Sequence, residues 1–336
     1  EILIENMLNI KGLKQTFTNQ IIERAGGNPF FIEEVVRSFL DEGAIVAKNG
    51  KFEVTEKIDT MVIPHTINDV LMARIDRLEE DTRTLVKVAS VIGRSFFHRI
   101  LTEVASTIKD IDSRLSYLKE IQLFRDRKRM DELEYLFKHA LVQEAAYESI
   151  LERKRQELHL KVADSIEKIF KERLHEFYGM LSYHFSKGDD LEKAEEYMIK
   201  AGEEALKSSA SSEALQYCQE ALNLYLKKHG HLASSDKMAM LEKNIGLAFF
   251  NKGHYEQATK YLDDSLSHYG EKVPVSSFPK MLKFLVCFFN YLTFIYLPFL
   301  KSKKLPSKIE TEIIKVGYKK CEALAFYDTK RFFIES

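Results

Sequence analysis

The string Gly26-Gly27-Asn28-Pro29 admits few local structures. Two glycines supply the left-handed backbone angles of a tight turn, Asn28 is a natural N-cap, and Pro29 suits a first helical turn, where a missing N–H costs nothing. Apolar residues recur at helical spacing on both sides, over Leu13 to Ala25 and Phe30 to Leu40, which predicts two helices joined by the glycine loop. Glu33 and Glu34 are then read into the first turn of the second helix, facing its positive end. Asp41-Glu42-Gly43 stops that helix, and Ala44 to Val54 reads as two short strands around an Asn49-Gly50 turn.

Pro64 opens the next segment, where Ile67, Val70, Leu71, Ile75 and Leu78 share one helical face. Asp81 is placed to cap a further helix with Leu85, Val86, Val88, Ala89, Val91 and Ile92 inside, ending at Gly93. A helix near Phe97 to Val104, another over Ile111 to Glu120, and strands Ile121 to Asp126 and Leu133 to Phe137 follow in the order of a winged helix. Arg125, Arg127, Lys128 and Arg129 are assigned to a basic turn between those strands, the kind of wing that contacts DNA. Asp126, Asp131, Glu132 and Glu134 dilute that field, so a solvated wing is expected and nucleic acid is not an expected partner. Asp76 and Arg77 read as an exposed ion-pairing set, with a domain-interface role as the alternative.

After a long connecting helix, from about Glu148 to Phe170, the pattern changes to helical hairpins. Aligning Ala194, Ala214 and Ala258 at tight helix crossings places Ala201, Ala221 and Ser265 seven residues on, and Ser182, Gly202 and Gly246 twelve residues before. Small residues let paired helices approach and aromatic ones fill the groove, so these hairpins resemble a degenerate tetratricopeptide solenoid. Met281 to Leu300 is apolar and aromatic, with Lys301, Lys303 and Lys304 after it. Burial between solenoid helices, partner binding and membrane insertion all stay open for it. Ile309 to Phe326 reads as a further solenoid helix.

Several blocks together are similar to one family. They are Gly26 to Glu34, Ile63-Pro64, Arg74 to Leu78, Ala89 to Phe96, and Tyr135 to Leu141. In this order they resemble the signal-transduction ATPases with numerous domains, the AAA-type regulatory ATPases that accompany adenylate or guanylate cyclases, protein kinases and transcription activators. The resemblance spans about Thr18 to Leu226. It implies that Gly27-Asn28-Pro29 is the family's Gly-x-Pro motif, whose proline packs on the adenine of a bound nucleotide. It also implies that Lys138-His139-Ala140 stands where the family has Met-His-Asp, whose histidine reaches the β-phosphate of ADP and holds the inactive state closed. Of that motif only the histidine is kept. The nucleotide-binding residues so implied are Gly27, Asn28, Pro29 and His139. A bland reading of His139, a core or capping residue at a helix start, stands beside the nucleotide reading.

No phosphate-binding loop Gly-x-x-x-x-Gly-Lys-Ser/Thr occurs, and Gly93-Arg94-Ser95 lacks both the upstream glycine and the lysine. No catalytic residue is assigned, and the chain alone is not expected to hydrolyse ATP. It begins at Glu1 rather than Met, which reads as a fragment lying after a nucleotide core. ADP or ATP is therefore expected only with that core. Cys218, Cys287 and Cys321 are dispersed and read as reduced core thiols, no metal ligation is expected, and a net charge of −1 gives no global pull toward polyanions. The fold expected is mostly α. Residues 1–60 form a helical lid with the Gly-Asn-Pro motif and a hairpin, and 61–150 a winged-helix domain. Residues 151–270 hold the connecting helix and tetratricopeptide-like repeats, and 271–336 the apolar helix and further solenoid-like helices.

The function expected is a cytoplasmic regulatory fragment of a nucleotide-switched ATPase, its winged helix clamping ADP and its repeats binding a partner or inducer. Its partners would be an upstream P-loop ATPase domain, an effector such as a cyclase or kinase, and a protein or peptide at the repeats. A non-catalytic interaction scaffold with a decayed ATPase module is the alternative, and a winged-helix DNA-binding regulator the second alternative.

Overall fold

The computed structural model describes residues 15–48, 51–129, 131–271 and 305–335, together with single positions at 285, 286, 289, 292, 293 and 296. The fold is mostly α, with two small antiparallel sheets and a solenoid-like run of helices. It divides into two compact units, Glu1–Ile169 and Phe170–Ser336.

In the first unit, α1 (Gln15–Ala25) and α2 (Pro29–Asp41) flank the glycine loop, whose Gly26 and Gly27 have φ of 52° and 85°. The Asn28 side chain accepts from Phe30 N at 3.0 Å, with Pro29 at the first helical position. Leu13 and Lys14 lie outside the described residues. Because α2 starts at Pro29, its first turn contains no acid. Glu33 and Glu34 are thus in the second turn, beyond the strongest field of the helix end, and they pair with cations instead. The helix closes at Glu42 and Gly43 (φ 69°), and β1 (Ile45–Lys48) pairs antiparallel with β2 (Lys51–Val54), Ile45 opposite Val54. The expected Asn49-Gly50 turn lies outside the described residues. Ile21, Phe31, Val35, Phe39, Ile45 and Val70 share one core.

Helix α3 (Ile67–Asp76) opens with a capping box in which Thr66 and Asp69 satisfy each other's backbone N–H at 3.2 and 3.0 Å. Helix α4 (Glu80–Ile92) buries all six apolar residues expected of it. Asp81 is not its cap. Glu79 holds that position without a side-chain cap, and Arg114 takes both carboxylates, Asp81 at 3.1 Å. A short β3 (Ser95–Phe97), α5 (His98–Val104), α6 (Ile111–Glu120), β4 (Phe124–Arg129) and β5 (Glu132–Phe137) follow.

The sheet order is β3-β5-β4, with Phe124 opposite Phe137 and Arg129 opposite Glu132. Strand β4 starts three residues later than expected because Ile121 and Gln122 close α6, Gln122 turning left-handed at φ 58°. The basic residues 125 and 127–129 therefore lie in the strand rather than in a turn. The Phe96, Phe124 and Phe137 rings meet edge to face beneath it. Helices α7 (Ala140–Glu148) and α8 (Glu152–Ile169) complete the unit, the long helix starting at 152 rather than 148.

The second unit stacks α9 (Tyr178–Lys187), α10 (Leu191–Lys207), α11 (Ser211–His229), α12 (Ser235–Asn251), α13 (Tyr255–His268), α14 (Lys308–Tyr327) and α15 (Thr329–Glu335), each packed on the next. The aligned Ala194, Ala214 and Ala258 are all fully buried at the crossings. A Cβ on Gly246 would lie 2.8 Å from Leu262 Cγ, and one on Gly202 would lie 2.6 Å from Cys218 Sγ. Ser265 donates across the same interface to Ala239 O at 2.7 Å. Burial pushes the Cys218 thiol up to about 12, which makes it unreactive; Cys321 is half-buried, and Cys287 lies outside the described residues. No helix among the described residues is long and apolar enough to cross a membrane. Apart from the six single positions, Met281 to Leu300 lies outside those residues.

Two glycine substitutions separate close packing from helix propensity. Gly246→Ala should lower the melting temperature, since overpacking costs roughly 1–3 kcal/mol against at most about 1 kcal/mol of gained propensity. Gly317→Ala, whose added Cβ meets no described atom within 4 Å, should raise it by gaining that propensity. Thermal unfolding followed by circular dichroism checks both signs.

Candidate functional site

On α2, Phe30, Glu33, Glu34 and Arg37 fall three or four residues apart and share one face. The base of the β4–β5 hairpin meets this face. Lys138 N donates to Leu123 O at 2.9 Å, so the end of β5 is fastened to the start of β4. The next residue, His139, is at the N-cap position of α7, yet its side chain makes no capping hydrogen bond. Its ring instead packs on Phe30, with centroids 4.1 Å apart and planes tilted by 35°. Gly27, Asn28 and Pro29 stand exposed immediately before Phe30, and His139 is half-buried. Two of the expected regions, 109 residues apart counting from Phe30 to His139, are thus brought side by side.

Nε2 of His139 is buried and finds no hydrogen-bond partner among the described residues. Burial lowers the pKa of the imidazole, with Glu34 and Glu33 opposing this and Lys138 and Arg125 reinforcing it. The ring is therefore neutral at pH 7, able to present one N–H and one lone pair.

Residues beyond the four expected to bind nucleotide hold this junction together. Arg74 on α3 donates to Glu34 at 2.7 Å, and both side chains are at least 95% buried. Its second terminal nitrogen donates to Ile121 O. Arg37 reaches the same carbonyl at 3.5 Å and Gln122 Oε1 at 3.4 Å. Lys138 donates to that Gln122 oxygen at 2.6 Å and lies 4.0 Å from Glu33. Burial lowers the Lys138 pKa, and the neighbouring Arg37 adds to the effect. The sequence carried one usable signal for the ion pair. Glu34 interrupts the buried run Phe31, Ile32, Val35 and Val36, and Arg74 interrupts Val70, Leu71 and Ile75. A charge in each of two apolar faces asks for a partner.

Arg77, read as an exposed ion-pairing residue, crosses to Ser38 at 2.9 Å and to Glu42, tying the end of α3 to α2. Two of the basic residues of β4 are answered locally. Arg127 and Arg129 both bind Glu134, which is 2% exposed, and Lys119 binds Asp126 at 2.9 Å. Burial opposes ionisation of Glu134, but the hydrogen bonds from Arg127, Ser95 and Arg129 outweigh it and hold the carboxyl low. In the second unit, a groove of about 780 Å³ opens between α10, α11 and α12, with Ile199 and Met240 among its walls. Buried Glu195 lies there between Lys228, at 3.3 Å, and Lys237. No group of three or more His, Cys, Asp or Glu among the described residues is arranged to hold a metal.

Residues 1–53 match a domain of unknown function, DUF8739. The chain is similar to an uncharacterized protein of Rhizobium meliloti (strain 1021), 24% identical over 222 residues, covering 65% of this chain and 20% of that relative. It is also similar to a solved signal transduction ATPase with numerous domains (STAND) protein with a tetratricopeptide repeat sensor from Pyrococcus horikoshii. That likeness has 12% identity and a TM-score of 0.31, and covers 98% of this chain and 59% of that one. The chain therefore spans a fifth of the curated relative and somewhat over half of the solved structure.

The lowered pKa of His139 gives a stability signature. The unfolded chain takes up its proton near the ordinary value of 6.5, while the folded imidazole resists protonation. Below about pH 6.5 the unfolded state thus binds more protons, and stability falls as pH falls toward the folded pKa. Urea unfolding between about pH 5 and 7.5 should have a steeper decline for the wild type than for His139→Gln, because the substitution removes this one proton from the balance.

Proposed function

We propose that this chain is the regulatory part of a nucleotide-switched ATPase of the STAND kind. Residues 1–60 serve as a lid, 61–150 as a winged-helix clamp, and the helical repeats from 151 onward as a sensor or scaffold. The observation that carries the reading is the contact of His139 with Phe30 beside the exposed Gly27-Asn28-Pro29 loop. In a full-length protein with a nucleotide core, Pro29 would lie against the adenine of ADP. His139, neutral and with a polar atom lacking a partner among the described residues, would donate to a phosphate oxygen. Release of that contact on exchange for ATP, or on binding of a partner in the groove between α10, α11 and α12, would shift the population toward an open state and free an effector domain. The setting is cytoplasmic on this reading.

A second reading, an interaction scaffold in which nucleotide control has been lost, is favoured by Lys138. It occupies the position of the family's methionine, and its ammonium is already held by Gln122. Titration calorimetry of ADP and ATP with the full-length protein separates the two. His139→Ala and Pro29→Ala should each weaken ADP by about 1–3 kcal/mol, roughly 5- to 150-fold, if the clamp operates. Equal affinity in all three proteins removes these residues from nucleotide binding and leaves the scaffold.

A further inference from the structure

Each residue around His139 is tied to the next by contacts that converge on one turn. The Ile121–Gln122 turn receives Arg74 and Arg37 at the Ile121 carbonyl, and Arg37 and Lys138 at the Gln122 amide oxygen. From this turn the chain runs into Leu123, whose carbonyl accepts from Lys138 N at 2.9 Å. Lys138 is bonded directly to His139. On the opposite side, Glu34 comes one helical turn after Phe30 on α2 and accepts from Arg74 at 2.7 Å. The ring that His139 packs on and the carboxylate that anchors Arg74 thus belong to the same helix face.

We propose that Glu34 and Arg74 are positioning residues for His139. Their buried ion pair, assisted by Arg37, fixes the Ile121–Gln122 turn against α2 and α3. Through the base of the hairpin it holds the imidazole against Phe30. The pair acts as a latch between the lid helices and the hairpin, and any displacement of the hairpin that frees His139 must first separate Arg74 from Ile121. The latch itself is a property of the described geometry; its role in nucleotide control rests on the clamp reading above.

A latch and a merely neighbouring charge make opposite demands on the histidine. The groups facing His139 are Glu33 and Glu34 from α2, and Lys138 and Arg125 from the hairpin. If Glu34 acts only as a nearby carboxylate, Glu34→Gln removes a group that favours the imidazolium, and the titration midpoint moves further down. If Glu34 holds the junction, the same change releases the ring to water, and the midpoint rises toward the ordinary value of 6.5.

The test is nuclear magnetic resonance on the 336-residue chain with labelled histidine and phenylalanine rings, His139→Gln assigning the signal. The variants are Glu34→Gln and Arg74→Lys, the second retaining the charge should the first fail to fold. The expected result is an upward midpoint shift and loss of the Overhauser contact between the Phe30 and His139 rings in either folded variant. Retention of that contact in both variants, with a downward shift in Glu34→Gln, overturns the latch. ADP affinity of the full-length His139→Ala protein is measured separately. Unchanged affinity there would sink the clamp while leaving the positioning result intact.

Discussion

The first unit depends on the burial of a single ion pair. Moving Glu34 and Arg74 out of water carries a large desolvation cost, and the pair survives only where geometry is good and the remaining donors are used. Here the separation is 2.7 Å and a second guanidinium nitrogen reaches the Ile121 carbonyl, while Nε of Arg74 is buried with no hydrogen-bond partner among the described residues. Removing either partner from such a pair leaves the other charge buried and uncompensated, at about 3–5 kcal/mol. That penalty makes the pair a strong constraint on register. Helix α2, helix α3 and the hairpin base are fixed to one another within the reach of one guanidinium. Arg77, at the next turn of the chain, adds a second bond between α3 and α2 through Ser38 and Glu42. The meeting of Phe30 and His139 is a consequence of this arrangement.

The second unit is held by a different device. Its helices carry charged outer faces and meet along small residues, so specificity comes from close approach. Gly202 and Gly246 have no room for a Cβ, and the buried alanines at 194, 214 and 258 repeat the arrangement with one methyl. Dispersion and apolar burial are both strongest at such short separations. A crossing made this way tolerates almost any exposed residue and very few buried ones. The repeat is therefore visible as a spacing of small residues even where nothing else recurs.

The same contrast explains which sequence expectations survived contact with the structure. Helices with a clear apolar stripe came out close to their expected bounds, α6 and α4 among them, because periodicity is a local property. Carboxylates were read less well. Asp81, Glu33 and Glu34 were all assigned to helix N-termini from sequence proximity; Asp81 and Glu34 are engaged by arginines distant in the chain, and Glu33 pairs with Arg37 one turn on. A cap contributes about 1 kcal/mol, and a guanidinium with two partners competes successfully for the same oxygen. Strand β3 escaped notice because a three-residue strand has no period of its own and exists only by pairing with β5. The basic residues of β4 read as a turn because their strand face is charged rather than apolar, and Glu134 on the neighbouring strand neutralises two of them, Arg127 and Arg129.

The amino-acid sequence by itself determined the elements: the left-handed glycines and the Asn28 cap, the helical stripes, and the small-residue spacing of the repeats. These rest on backbone sterics and on interactions within a few residues, which any chain with this string must obey. It also pointed to Gly27, Asn28, Pro29 and His139 as residues to watch, through a resemblance rather than through physics. Tertiary structure decided that His139 lies on Phe30, that Arg74 answers Glu34 from 40 residues away, and that Lys138 is committed to Gln122. No local pattern encodes such pairings. Each is a choice among many partners of similar chemistry, made by the packing of the apolar faces that bring one of them within reach.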